Sequence, residues 1–225
     1  MKFTPEEIIK IREVRTTMDT KPDKIRTWWK IRGISEEIAE TVLQHVNKIV
    51  KAAHFYGIQH PELDLQKMLD MARYHDTAEY KEKDYIPQQY GWEISPEEKH
   101  GREKAVMMEL RDFFWEKGQK MFDIWMEFET GKTSEGKESP EAKIVKQLDK
   151  LDAAVQAMEY EKLWYTNVVE FYPHAMENLT DPTLKNILTI LLKKEYPHIN
   201  TYDQYFALLK CNGDEAIFKQ KMENI

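Results

Sequence analysis

Two histidines and two aspartates have the residue types and spacing that suit metal chemistry. His75 is the one histidine of seven that is followed by Asp, namely Asp76, while His45 and Asp149 lie beside apolar residues of other predicted helices. Two imidazoles and two carboxylates can fill part of the shell of a divalent cation and leave positions for water and a substrate. From spacing alone an alternative stays open: each is an ordinary side chain, with Asp149 paired to Lys146 three residues before it.

Two further acids follow the His-Asp pair closely enough to serve the same site. Glu79 lies four residues after His75, so a helix that continues through both would place its carboxylate one turn beyond the histidine on the same face. There it could orient a water molecule. Asp84 precedes Tyr85-Ile86-Pro87, and the alternative for it is a turn-forming aspartate before an extended X-Pro segment.

Helices must position these side chains, because apolar residues recur at spacings of three and four almost throughout the chain. No alternating stretch or Asn-Gly turn indicates a β-hairpin. We therefore predict an all-α protein in which residues 1–225 form a single, compact multi-helix domain. A chain of 225 residues is long enough to bury a substantial core.

Start and stop signals divide the chain into the predicted helices. Thr4-Pro5 opens the first helix, and Ser95-Pro96-Glu97-Glu98 combines an N-cap, a proline at the first helical position and a capping-box acid. Residues 131–139 are polar and contain glycine, which predicts an exposed loop. The predicted helices span about residues 5–17, 35–57, 65–79, 95–118, 119–129, 140–164 and 182–196, followed by two short helices in the remaining tail.

Composition disfavours several classes of protein. Lys+Arg 33 against Asp+Glu 40 gives a net charge of −7, which opposes a general electrostatic attraction to nucleic acid or anionic lipid. One cysteine, Cys211, excludes an internal disulfide, and the longest aliphatic run is far shorter than the roughly 20 residues that span a bilayer. The opening residues lack the apolar core of a signal peptide. We expect a cytoplasmic protein that acts on a small molecule, not on nucleic acid or a membrane.

The order of motifs along the chain resembles that of the HD-domain 5′-deoxynucleotidases, nearer to the eukaryotic type. The resemblance covers about residues 24–165, and residues 181–225 form a predicted helical extension outside it. It rests on Arg26-Thr27-Trp28-Trp29, Glu40-Thr41-Val42-Leu43-Gln44-His45, Tyr74-His75-Asp76-Thr77-Ala78-Glu79, Asp84 with Pro87, Glu97-Glu98-Lys99-His100 and Val145-Lys146-Gln147-Leu148-Asp149.

This resemblance implies a metal-dependent phosphohydrolase of nucleotide metabolism with the HD-domain fold and a homodimeric assembly. The expected reaction removes the phosphate from deoxyribonucleoside 5′-monophosphates. By motif position, His45, His75, Asp76 and Asp149 would hold one divalent ion, which could be Mn, Co, Fe, Ni, Zn or Mg.

The resemblance also assigns the remaining roles. Glu79 and Asp84 would be the catalytic acids, the first placing the attacking water and the second serving the leaving 5′ oxygen. Arg26 and either Trp28 or Trp29 would hold the phosphate and the nucleoside, since the planar guanidinium matches a phosphate group.

Two other functions stay open beside this one. The chain could hydrolyse another small phosphate ester or a phosphonate, because the ligand set constrains the reaction more than the leaving group. It could also be a non-catalytic interaction protein on an HD scaffold, which the presence of every expected ligand and acid argues against. His100 is the one histidine between the His-Asp pair and Asp149, and this favours one cation over two.

Overall fold

Local capping signals set the starts of several helices in the computed structural model, which describes residues 2–21, 23–85 and 94–197. Within these ranges the all-α prediction is confirmed, since two isolated bridges, Ile25 to Thr41 and Lys132 to Glu138, are the only β-type pairing. The α-helices are α1 Pro5–Met18, α2 Thr27–Ile31, α3 Val42–Gly57, α4 Leu65–Tyr74, α5 Pro96–Thr130, α6 Pro140–Glu161, α7 Phe171–Asn178 and α8 Pro182–Glu195, and short 3-10 helices span Thr77–Tyr80 and Thr166–Val168.

Helices α1, α5 and α8 begin where the sequence predicts. In α1 the Thr4 hydroxyl accepts a hydrogen bond from the Glu7 amide, and the Glu7 carboxylate accepts one from the Thr4 amide at 2.7 Å. Ser95 and Asp181 cap α5 and α8, each with a proline at the first helical position. These starts depend on neighbouring residues alone, which is why sequence patterns identify them.

Two predicted boundaries and the number of helices differ from the structure. The second predicted helix does not begin at Ser35 but at Val42, because Thr41 and Gln44 form a reciprocal capping box there. Helix α4 ends at Tyr74, before the predicted residue 79, so Glu79 lies in a 3-10 helix and not one turn further along the helix of His75. Helices α2 and α7 are additional to the prediction.

Helix α5 reverses direction at Trp115, whose φ of 53° and ψ of −124° interrupt the helical path. The His100 ring stacks on Trp125 with centroids 5.5 Å apart, whereas a continuous helix would separate these residues by about 38 Å. Close packing at the turn needs Gly118, because a Cβ atom there would lie 2.2 Å from the Arg111 carbonyl oxygen. The element is therefore a helical hairpin, close to the division predicted near Gly118.

The described residues group into two compact units, the first ending at Val145 and the second beginning at Lys146, so the boundary falls within α6. The core of the first unit contains Met18, Val46, Met107, Leu110 and Trp125 among its most buried side chains. The single-domain organisation predicted from the sequence stays a prediction.

Polar contacts to α6 organise the second unit. The Gln147 side-chain oxygen accepts hydrogen bonds from the amides of Thr180 and Asp181 at 2.6 and 2.7 Å. The Glu161 carboxylate accepts hydrogen bonds from the hydroxyls of Tyr172 and Tyr196. Across all described helices, none is both long enough and apolar enough to cross a membrane.

Candidate metal centre

Three of the predicted ligands meet in a buried cluster of the first unit. His45 Nε2 lies 3.3 Å from His75 Nε2, and Asp76 Oδ2 lies 3.2 Å from His75 Nε2 and 3.7 Å from His45 Nε2. His45 is 0% exposed and His75 6% exposed. One ligand atom from each residue lies within 4.8 Å of the others, so this group could hold a metal ion. We call these three residues the HD cluster.

Helix packing brings the HD cluster together. Helix α3 buries Val42, Val46 and Ile49, and His45 lies on that same face at the end of the first turn. His75 is the C-cap of α4, and its amide makes the last helical bond, to the Met71 carbonyl at 2.9 Å. The chain turns directly after it, so Asp76 is directed back toward the two imidazoles.

The protonation of His75 tests whether a cation fits the HD cluster. Its Nδ1 lies 3.0 Å from the Ala72 carbonyl oxygen, which can only accept, so Nδ1 carries a proton and donates it. In neutral His75 the Nε2 atom then presents a lone pair toward His45 Nε2 and the Asp76 carboxylate. His75 Nε2 and Asp76 Oδ2 then converge as two acceptors 3.2 Å apart beside His45 Nε2. A cation among them would relieve their repulsion, and nitrogen with carboxylate oxygen is a donor set that divalent metals accept.

The pKa values of Asp76, within the HD cluster, and of Glu79, beside it, are shifted in opposite directions. Burial opposes the charge on Asp76, but a protonated His75, which attracts the carboxylate and can donate a hydrogen bond to it, lowers the pKa of Asp76, and His45 and Arg26 act in the same direction. Burial and the carboxylates of Asp76 and Asp84 raise the pKa of Glu79 well above its usual value. Asp76 is therefore suited to hold a cation and Glu79 to take up a proton.

Glu79 also carries an unsatisfied atom. Its side chain is 3% exposed, and its Oε2 atom is buried with no hydrogen-bond partner among the described residues. Leaving a buried carboxylate oxygen unpaired is costly, and active sites are where such groups are commonly found. Glu79 thus offers an acceptor to a water molecule or substrate that enters the site.

The segment before α2 lies on the same side of the unit as these acids. The Thr27 amide donates a hydrogen bond to Asp84 Oδ2 at 2.8 Å. Arg26 is the N-cap of α2, and its positive charge acts on both Asp76 and Glu79. The predicted phosphate-binding arginine is therefore close to Asp76, a predicted metal ligand, and to Glu79, a predicted catalytic acid.

The neighbouring tryptophans have opposite environments. Trp29 is 1% exposed, and its indole Nε1 donates to Glu40 Oε2 at 3.3 Å. Trp28 is only partly buried, with the Arg32 guanidinium 5.8 Å from the centre of its ring. The accessible face that a nucleoside could contact therefore belongs to Trp28, while Trp29 is part of the core.

The fourth predicted ligand, Asp149, lies on α6 in the second unit, where its Oδ2 atom is 2.8 Å from Lys150 Nζ. Its part in the metal site stays a prediction. Pro87 of the sequence motif and Cys211 lie outside the described residues.

The sequence patterns missed an ion pair between Lys99 and Glu103 on α5, with Nζ and Oε1 3.2 Å apart. Burial opposes the charge of Lys99, but four carboxylates, first that of Glu103 and then those of Glu79, Asp84 and Asp76, raise the pKa of Lys99. Burial raises the pKa of Glu103 to about 7, because Lys99 alone does not replace the lost hydration. The i, i+4 spacing was visible in the sequence, but its direction toward the site was not.

Comparison with known proteins agrees with this geometry. The HD domain family model HD_3 matches residues 23–188. The chain is 32% identical over 160 residues to 5′-deoxynucleotidase HDDC2 of Dictyostelium discoideum, covering 68% of this chain and 74% of the relative. It is 30% identical over 177 residues to 5′-deoxynucleotidase HDDC2 of Danio rerio, covering 77% and 82%.

A solved structure has the same fold. A conserved hypothetical protein from Pyrococcus furiosus superposes with a TM-score of 0.63 at 22% identity, covering 82% of this chain and 99% of that chain. The chain belongs to the HD-domain family. Within that family it resembles the eukaryotic proteins named 5′-deoxynucleotidase HDDC2, which confirms the resemblance predicted from the motifs.

Proposed function

We propose that this protein is a metal-dependent phosphohydrolase that removes the phosphate from deoxyribonucleoside 5′-monophosphates. The observation that carries the proposal is the HD cluster, in which two imidazole nitrogens and a carboxylate converge beside a buried acid of raised pKa. The similarity of the chain to proteins named 5′-deoxynucleotidase supports the proposed class of substrate.

In this proposal His45, His75, Asp76 and Asp149 hold one divalent cation. Mixed nitrogen and oxygen ligands accept Mn, Co, Fe, Ni, Zn or Mg. When bound, the cation would supply a water molecule of lowered pKa and would neutralise charge on the phosphate oxygens.

The two acids divide the proton transfers between them. Glu79 orients the attacking water through its unpaired Oε2 atom and accepts a proton from it, which the raised pKa of Glu79 favours. The Asp84 carboxyl group accepts a hydrogen bond from the Thr27 amide. In this position it holds or protonates the 5′ oxygen that leaves when the P–O bond breaks. The proton taken from water and the proton needed by the leaving oxygen are thus handled at different atoms.

Arg26 and Trp28 complete the proposed site. The Arg26 guanidinium lies near Asp76 and Glu79 and can present two parallel N–H groups to a phosphate. The partly exposed ring of Trp28 provides an apolar surface for the nucleoside. We further propose a homodimeric, cytoplasmic enzyme in which residues 1–225 form a single domain.

A substrate panel tests the proposal. Purified protein is analysed for bound metals, loaded with each candidate divalent ion, and incubated with deoxyribonucleoside and ribonucleoside 5′-monophosphates, sugar phosphates and a phosphonate. We expect phosphate release that is fastest from the deoxynucleotides and that stops on chelation. Equal release from sugar phosphates would instead favour a general phosphoesterase. Absence of release from every compound would favour the non-catalytic interaction protein.

A further inference from the structure

A short segment, residues 24–27, is bonded to the start of the helix that carries His45. The Val42 amide donates to the Lys24 carbonyl at 2.9 Å, and the Arg26 amide donates to the Glu40 carbonyl at 3.0 Å. These two bonds form an antiparallel bridge centred on Ile25 and Thr41. The main chain of Arg26 is therefore fixed relative to α3.

The same segment is bonded on its other side to the 79–84 turn, defined as the residues from Glu79 to Asp84. Lys24 Nζ donates to the Glu79 carbonyl oxygen at 2.5 Å and to the Glu82 carbonyl oxygen at 2.9 Å. The Thr27 amide donates to Asp84 Oδ2 at 2.8 Å. Three hydrogen bonds, two of them from one ammonium group, connect the phosphate-binding segment to the turn that carries both proposed catalytic acids.

The charged side chain of Lys24 lies in a partly buried place. This burial lowers the pKa of Lys24 while the nearby carboxylates, Glu79 first, raise it. An ammonium group in such a place must be well bonded to remain charged. Its partners here are main-chain oxygens, so it holds the path of the backbone and leaves the Glu79 carboxylate available to the site.

We propose that Lys24 is a positioning residue for hydrolysis, which holds the 79–84 turn at the distance from Arg26 that lets Glu79 and Asp84 act on the phosphate bound by that arginine. This inference rests on the proposed function. The HD cluster does not depend on Lys24, because His45 and His75 are fixed by α3 and α4. Removing the ammonium group should therefore impair turnover and leave metal binding unchanged.

The test compares Lys24→Met and Lys24→Arg with a matched control, Lys30→Met. Lys30 is an exposed lysine of α2, so its substitution removes the same charge six residues further along the chain. We measure kcat and KM for a deoxynucleoside 5′-monophosphate, the metal content, and hydrogen exchange in peptides that cover residues 79–85.

The inference predicts a specific pattern. Lys24→Met should lower kcat at least tenfold with KM changed less than threefold, keep the full metal content, and accelerate exchange at least tenfold in the 79–84 turn. Lys24→Arg should keep at least a third of kcat, because a guanidinium group can donate to both carbonyl oxygens. Lys30→Met should stay within twofold of the unaltered protein in every measurement.

Three results would overturn the inference: Lys24→Met with kcat within twofold of the unaltered protein, loss of metal in parallel with loss of rate, or unchanged hydrogen exchange in the 79–84 turn. If Lys24→Met does not fold, Lys24→Gln replaces it with the same criteria, because its shorter, uncharged side chain cannot take the place of the ammonium group between the two carbonyl oxygens. Hydrogen exchange separates this inference from the proposed function. An unaltered protein that hydrolyses nothing refutes the function, whereas unchanged exchange in the 79–84 turn of Lys24→Met refutes the positioning role itself.

Discussion

The HD cluster and the segment of Arg26 to Trp29 are built in different ways. The cluster histidines belong to α3 and α4, which bury apolar faces in the core of the first unit. The segment includes the start of α2, a five-residue helix with no side-chain cap, and it is held by the buried Trp29 side chain and by polar contacts to its neighbours. The candidate cation site is thus part of the core, while the proposed substrate contacts lie on a short segment that is anchored to its neighbours by hydrogen bonds.

Removing a cluster imidazole should have the largest effect. We expect His45→Ala to lose its metal and to lower kcat/KM by at least 1,000-fold, because two ligand atoms remain of the three that converge here. Metal analysis and phosphate release measure both effects. His54→Ala is the matched control, since His54 is an exposed histidine of the same helix. A His45→Ala protein with full metal content would refute the cluster as the metal site.

Glu79 tests whether metal binding and catalysis are separable. Glu79→Gln should keep its metal and lower kcat by about 100- to 1,000-fold, because the amide orients water poorly and cannot accept its proton. Single-turnover kinetics on metal-loaded protein give the rate. Glu98→Gln, at an exposed acid paired to Arg102, should retain the normal rate. Full activity of Glu79→Gln would remove Glu79 from the mechanism.

The two tryptophans divide the segment into a structural and a binding part. Trp29→Ala should lower the free energy of unfolding by about 3–5 kcal/mol, as removal of a buried tryptophan side chain usually does. Trp28→Ala should change stability by less than about 1 kcal/mol and raise KM about tenfold. Denaturant unfolding and substrate titration separate the two. The reverse pattern would show that the nucleoside contacts Trp29.

The pH dependence of stability tests the ion pair next to the cluster. Because the folded state raises the pKa of Glu103 to about 7, the folded chain binds a proton more tightly than the unfolded chain between pH 4.5 and 7. The free energy of unfolding therefore decreases as pH rises through this window. Glu103→Gln should remove this decrease and gain about 2–3 kcal/mol relative to the original protein between pH 4 and pH 8. If the free energy of unfolding differs between the two proteins by the same amount at pH 4 and at pH 8, this assignment is contradicted.

Much of the helical framework could be predicted because its signals are local. Thr4, Ser95 and Asp181 cap helices with their own side chains, and each precedes a proline. The HD cluster was predictable from a different source, the order of motifs shared with a known family. Sequence spacing alone would not have identified the cluster, because His45 and His75 are 30 residues apart and no periodicity relates them.

The remaining features depend on contacts that leave no local pattern. The end of α4 at Tyr74 is not marked by glycine or proline. The prediction that this helix continues to Glu79 was therefore wrong, and Glu79 lies in a 3-10 helix instead. Helix α2 is too short for a hydrophobic period and has no side-chain cap. Lys24 bonds to carbonyl oxygens 55 and 58 residues away, and any residue type could supply them.

This last property of Lys24 has an evolutionary consequence. Every amino acid presents a carbonyl oxygen, so substitutions at Glu82 and its neighbours do not delete the acceptors that the ammonium group uses. Natural variation and laboratory libraries can therefore change the side chains of Lys81, Glu82 and Lys83, which are not part of the buried core, while one lysine keeps the path of this turn fixed.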